Sequence, residues 1–146
     1  MGHTAVMSVR DFRVHPLKIL VVDDDRTFAE SLALFLSHDE RLIVTDIACD
    51  LATALDSTSV NRFDLALVDV RLNIQSGFQV VEALRARYPE LATLMMSGLD
   101  ESEIETRALA CGAQGVLQKT ELTRRGQEVV LDAYLAGLHG LAAQVH

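Results

Sequence analysis

The sequence predicts an α/β sandwich, with a parallel sheet of five strands lying between two layers of helices. Short, continuous, largely β-branched apolar runs alternate five times with stretches whose apolar residues recur at helical spacing, all within about 120 residues. The runs are apolar on both faces, as strands covered on both sides are, and right-handed crossovers between such strands make neighbours parallel.

The elements follow in order. Lys18 to Val22 reads as the first strand, ending abruptly in Asp23-Asp24-Asp25. Phe28, Leu32, Phe35 and Leu36 then repeat at helical spacing, with Asp25 as N-cap. Leu42 to Ala48 is a strand, Leu51 to Thr58 a helix, and Asp64 to Val70 a strongly apolar strand interrupted by Asp69. Phe78 to Tyr88 is the third helix, ended by Pro89, and Leu91 to Met96 is the fourth strand. Glu101 to Cys111 is a helix closed by Gly112, Gly115 to Gln118 the fifth strand, and a last helix runs from about Leu122 to Leu138. Met1 to Pro16 carries neither period. The expected organisation is a loose tail over 1–16, one domain over 17–140 and a short tail over 141–146.

Composition narrows the function. The 146 residues are 49% hydrophobic and 23% charged, enough for one real core. A formal charge of −8 argues against a surface built to neutralise nucleic-acid phosphates or anionic lipid. No run is long and apolar enough to span a bilayer and no secretory stretch opens the chain, so a cytoplasmic protein is expected. Cys49 and Cys111 fit neither a disulfide framework nor a zinc site and read as reduced thiols.

In open parallel sheets ligands bind beyond the carboxyl ends of the strands. Those ends carry Asp23 and Asp24 (first strand), Asp69 (third), Ser97 (fourth) and Lys119 (fifth). Three converging carboxylates repel one another unless a cation neutralises them, and Mg²⁺, which takes carboxylate oxygens and keeps water or phosphate oxygens elsewhere, suits the set. Asp69 is then able to attack phosphorus, with Lys119 and the Ser97 hydroxyl meeting the phosphoryl oxygens. Asp25 reads as a cap alone.

These residues resemble the receiver domain of two-component response regulators. The resemblance rests on Ile19-Leu20-Val21-Val22-Asp23-Asp24, Leu67-Val68-Asp69-Val70-Arg71-Leu72, Met95-Met96-Ser97-Gly98 and Gly112 to Lys119, and covers Leu17 to about Gly140. It implies a flavodoxin-like (βα)5 sandwich with strand order 2-1-3-4-5. It also implies that Asp69 accepts a phosphoryl group from a sensor histidine kinase, the domain catalysing its own phosphorylation and dephosphorylation without being a conventional enzyme. Asp24 and Asp69 would hold Mg²⁺ with help from Asp23 and the main-chain carbonyl of Arg71. Ser97 would move toward the phosphoryl group and reshape the face of the fourth helix, fifth strand and fifth helix. The Lys119-Thr120 pair, without a following proline, resembles receivers of the NarL/LuxR type.

The chain departs from the family at Asn73, where proline is frequent, and at Val116, where the switch commonly has an aromatic; Gly77 keeps its place. Arg71 stands beside the expected path of hydrolytic water and is expected to tune the phosphorylated lifetime. No nucleic-acid module follows Lys119, so output is expected through a protein target or an output domain missing from this sequence. In the last helix a stripe of Leu122, Val129 and Ala133 would cover the sheet, while Leu131, Leu135 and Leu138 form either surplus core or a homodimer surface. Two other functions stay open: a phosphorylation-independent binding module on the same fold, and a haloacid-dehalogenase-like phosphatase reading Asp23-Asp24-Asp25-Arg26-Thr27 as its nucleophile motif.

Overall fold

The computed structural model describes residues 11–98 and 102–144. A helical turn, α1 (Asp11–Val14), precedes β1 (Leu17–Val22), α2 (Arg26–Ser37), β2 (Leu42–Ala48), α3 (Leu51–Val60) and β3 (Leu65–Asp69). Then come α4 (Gly77–Arg87), β4 (Ala92–Ser97), α5 (Ser102–Cys111), β5 (Val116–Gln118) and α6 (Lys119–Gln144). Because α1 comes first, the fourth and fifth helices of the predicted alternation are α5 and α6. Glu101, the expected start of the fourth helix, lies outside the described residues, as do 1–10 of the expected tail.

The five strands are all parallel in the order β2-β1-β3-β4-β5, as the resemblance implies. Every residue of β3 and β4 is buried, the signature of central strands covered on both faces. Alternation along β1 divides the core. Ile19 and Val21 join Leu32 and Leu36 of α2 and Leu122 and Val130 of α6, whereas Leu20 and Val22 join Ala54, Val81, Leu84 and Ile104 of α3, α4 and α5. At the end of α5, Gly112 takes φ +106°, and the amides of Gly112 and Ala113 bond back to the carbonyls of Leu109 and Ala108, the C-terminal cap that the sequence predicts.

Three expectations need correction. The stretch expected to be a loose tail supplies α1, whose Phe12 is 1% exposed and meets Tyr134 edge-on at 5.9 Å between ring centroids. One aromatic anchor leaves no periodic trace in sequence. At the other end α6 continues to Gln144, past the expected boundary at 140. The apolar stripes of this helix also differ from those expected. Arg125 has non-helical angles (φ −138°, ψ 33°), so the helical phase is broken there, and the buried set becomes Leu122, Val130, Leu131 and Tyr134. Leu135 and Leu138 pack against the same core as Phe12. Of the stripe offered as a homodimer surface, Leu131 is buried in the core while Leu135 and Leu138 are only half-buried.

Candidate functional site

The site sits on the carboxyl rim of the sheet. Past the end of β1 the Asp23 amide continues the ladder to the Ala48 carbonyl at 2.9 Å, fixing the backbone, and the side chain is buried at 1% exposure. Its Oδ1 accepts the Asp25 amide at 2.9 Å, and Asp25 in turn caps α2 by accepting the Phe28 amide at 3.1 Å. Asp69 ends β3 and is also buried. Behind it Gly77 opens α4: its amide bonds to the Val70 carbonyl at 2.9 Å, and a Cβ on Gly77 would lie 1.9 Å from the Asp69 carbonyl oxygen. Only glycine permits this approach.

Lys119 follows β5 directly and joins the two buried acids. Its Nζ lies 3.0 Å from Asp23 Oδ2 and 3.2 Å from Asp69 Oδ2, and 4.4 Å from the centroid of the Phe28 ring. Asp69 Oδ1 accepts the Arg71 amide at 3.4 Å, and Asp24 Oδ2 accepts the Asn73 amide at 2.8 Å. Oxygens of Asp23, Asp24 and Asp69 all fall within 4.8 Å of one another. Ser97 ends β4, buried, paired with Gln118 and therefore beside the residue that precedes Lys119. Val116 pairs with Met95 and packs against the core on the α4–α5 side. Arg71 is exposed at the rim.

The electrostatics follow from this packing. Burial, reinforced by the charge of Asp23 and opposed by Lys119, pushes the Asp69 carboxyl up to about 6. Burial works against charge on Lys119 too, but the hydrogen bond to Asp23 and the charges of Asp69 and Asp23 outweigh it and hold the ammonium above the ordinary lysine range. Three carboxylates face one ammonium, so negative charge is in surplus. Hard oxygen donors this close suit a small divalent cation.

Asp23 is buried, with one oxygen on Lys119 and the other on the Asp25 amide, and anchors the site. The profile of the response regulator receiver domain matches residues 19–131. The chain belongs to this family. This receiver is 32% identical over 134 residues to a probable transcriptional regulatory protein NarL of Mycobacterium tuberculosis, covering 85% of this chain and 62% of the relative. It is also 32% identical over 126 residues to a protein-glutamate methylesterase/protein-glutamine glutaminase of Syntrophomonas wolfei, covering 86% of this chain and 35% of the relative. The solved receiver domain of the M. tuberculosis NarL superposes with a TM-score of 0.71 at 32% identity, over 82% of this chain and 96% of that one. The receiver thus spans from about a third to three fifths of these curated relatives' lengths.

Asp23, Asp24, Asp69, Ser97, Lys119 and Arg71 are brought to one rim, whereas Val116 stands at the start of β5 against the core. Sequence reasoning missed two contributors. Phe28 was legible only as part of an apolar helix face, and the Asn73 amide has no side-chain signature at all.

Proposed function

We propose that this receiver takes a phosphoryl group from the phosphohistidine of a sensor histidine kinase onto Asp69, with Mg²⁺ held by Asp23, Asp24, Asp69 and the main-chain carbonyl of Arg71. The observation that carries the reading is the Lys119 ammonium set between Asp23 and Asp69, with Asp24 within reach of both acids. Bound there, the cation supplies neutralising charge for the carboxylates and the phosphoryl oxygens. With its carboxyl at about 6, Asp69 is mostly ionised at neutral pH and is a competent nucleophile. As its oxygen bonds to phosphorus, the N–P bond of the phosphohistidine breaks and the electron pair leaves with the imidazole nitrogen. Lys119 stands ready to hold the phosphoryl oxygens, and its ammonium keeps its proton throughout. Ser97 supplies a hydroxyl donor, and its movement is read out on the face of α5, β5 and α6, with Val116 in the place of the usual aromatic. On this reading the domain works in the cytoplasm, where phosphohistidine is made from ATP, and its output is contact with a protein target or with an output region of its own longer protein. Transcriptional control, named for the NarL relative, is the output class favoured by similarity.

The test is incubation of wild type and Asp69→Ala with acetyl phosphate, with and without Mg²⁺, read by intact mass. A single Mg²⁺-dependent, base-labile adduct absent from Asp69→Ala is expected. No adduct in wild type would overturn the reading and leave a phosphorylation-independent binding module.

A further inference from the structure

We propose that the backbone amide of Asn73 is a positioning group for the metal site: it orients Asp24 and thereby ties cation binding to the loop between β3 and α4. This rests on the Mg²⁺ reading above. Each acid of the rim is held differently. Asp23 has Lys119 and the Asp25 amide, and Asp69 has Lys119 and the Arg71 amide, so both are fixed from within the sheet rim. Asp24 is half-buried, and its Oδ2 is held by the Asn73 amide at 2.8 Å across 49 residues of sequence.

The consequences are physical. A carboxylate with one oxygen on a fixed donor presents its other oxygen in a defined direction, so less side-chain freedom is lost when a cation binds. The donor takes one lone pair of Oδ2 and leaves the rest of the carboxylate free, so it orients without competing for the ion. The donor also belongs to a segment with a second anchor: Gln75 Oε1 accepts the Leu51 amide at 3.2 Å, attaching the loop to the start of α3. Ile74 between the two anchors is 77% exposed. The tethers at Asn73 and Gln75 hold the second half of the loop, while Val70 and Leu72 before them pack against the core. By linkage, a cation that prefers Asp24 in this orientation also favours the loop conformation that supplies it.

Proline, frequent in the family at position 73, has no N–H to give, so the tether is particular to this chain; alanine keeps the amide and removes only the side chain. Calorimetric Mg²⁺ titration of wild type, Asn73→Pro and Asn73→Ala is expected to show roughly tenfold weaker binding for the proline variant and wild-type binding for the alanine variant. In wild type, NMR exchange of the Asn73 amide proton is expected to slow when Mg²⁺ is added, which supplies a reading even if the proline variant fails to fold. Equal affinity in wild type and Asn73→Pro, equal loss in both variants, or amide exchange unchanged by Mg²⁺ each overturns the proposal while leaving the metal reading intact. A wild-type chain that binds no Mg²⁺ overturns both.

Discussion

Replacing the buried acid Asp69 by asparagine is expected to stabilise the metal-free receiver. A carboxyl moved from its ordinary 3.8 to about 6 carries a penalty on its ionised form of about 3 kcal/mol in the folded state. Water at the rim screens part of this, and loss of the full Asp69 charge weakens the contact with Lys119, leaving about 1–2 kcal/mol. At roughly 2–4 °C per kcal/mol for a domain of this size, Asp69→Asn should melt about 2–8 °C above wild type at pH 7.5 in chelator. The sign with pH is fixed by linkage. The folded-state carboxyl lies above its unfolded value, so the penalty of Asp69 on folding grows with pH from about 3.8, where the unfolded state ionises, to about 6, where the folded state does, and is constant above. The advantage of asparagine is therefore full above about pH 6 and disappears as pH falls below 3.8, where wild-type Asp69 is protonated in both states. Added Mg²⁺ should also narrow the gap by stabilising wild type preferentially. Thermal melts of both proteins from pH 4 to 8, with chelator or Mg²⁺, test this. A wild type as stable as Asp69→Asn at pH 7.5 in chelator, or a difference that ignores pH, would refute the argument that burial strains this carboxylate.

Three further outcomes are expected. Gly77→Ala sets a Cβ 1.9 Å from the Asp69 carbonyl oxygen and should cost about 2–4 kcal/mol in urea unfolding, whereas Gly98→Ala, with nothing within 4 Å of the new Cβ, should stay within about 0.5 kcal/mol. Phe28→Leu keeps an apolar side chain in the core but removes the ring face under the Lys119 ammonium, a contact worth about 0.5–1 kcal/mol, so phosphorylation by acetyl phosphate should slow about two- to fivefold with little loss of melting temperature. Leu135→Glu drives charge into the contact with the Phe12–Tyr134 core and should lower stability by about 1–3 kcal/mol with no change of mass in solution; a mass that falls from dimer to monomer would restore the self-association reading.

The strands and their rim were legible because both rest on local pattern. β3 and β4 are buried on both sides, so Leu65-Ala66-Leu67-Val68 reads as strand without any knowledge of its neighbours, and Asp69 stands out as the charge that closes it. The Asp25 cap and the Gly112 terminator are likewise set within a few residues, and both appear where the sequence predicts them. The course of α6 was less legible. Its residues are apolar on almost every side, so phase alone had to assign them, and one non-helical residue at Arg125 moved the buried position from Val129 to Val130. Tyr134 of this helix meets Phe12, more than a hundred residues earlier and without periodic company.

Within the site, sequence identified the charged groups but not which of them hold one another. Asp23 and Asp24 are adjacent and chemically identical, yet the chain turns between them. Asp23 goes inward, to the Lys119 ammonium and the Asp25 amide, and Asp24 stays half-exposed under the Asn73 amide. That division sets different tasks. A buried acid already paired with lysine helps to place the ammonium that must meet the phosphoryl oxygens, and exchanging it for alanine would leave Lys119 with Asp69 as its remaining anionic partner. A half-exposed acid held by a neutral donor has charge to spare for a cation. The two carboxylates are thus separated in function by backbone direction, which no count of acidic residues reveals. Such a site works only while the two loops keep their register, and for that reason the glycine at 77 and the amide at 73 belong to its chemistry as much as the acids do.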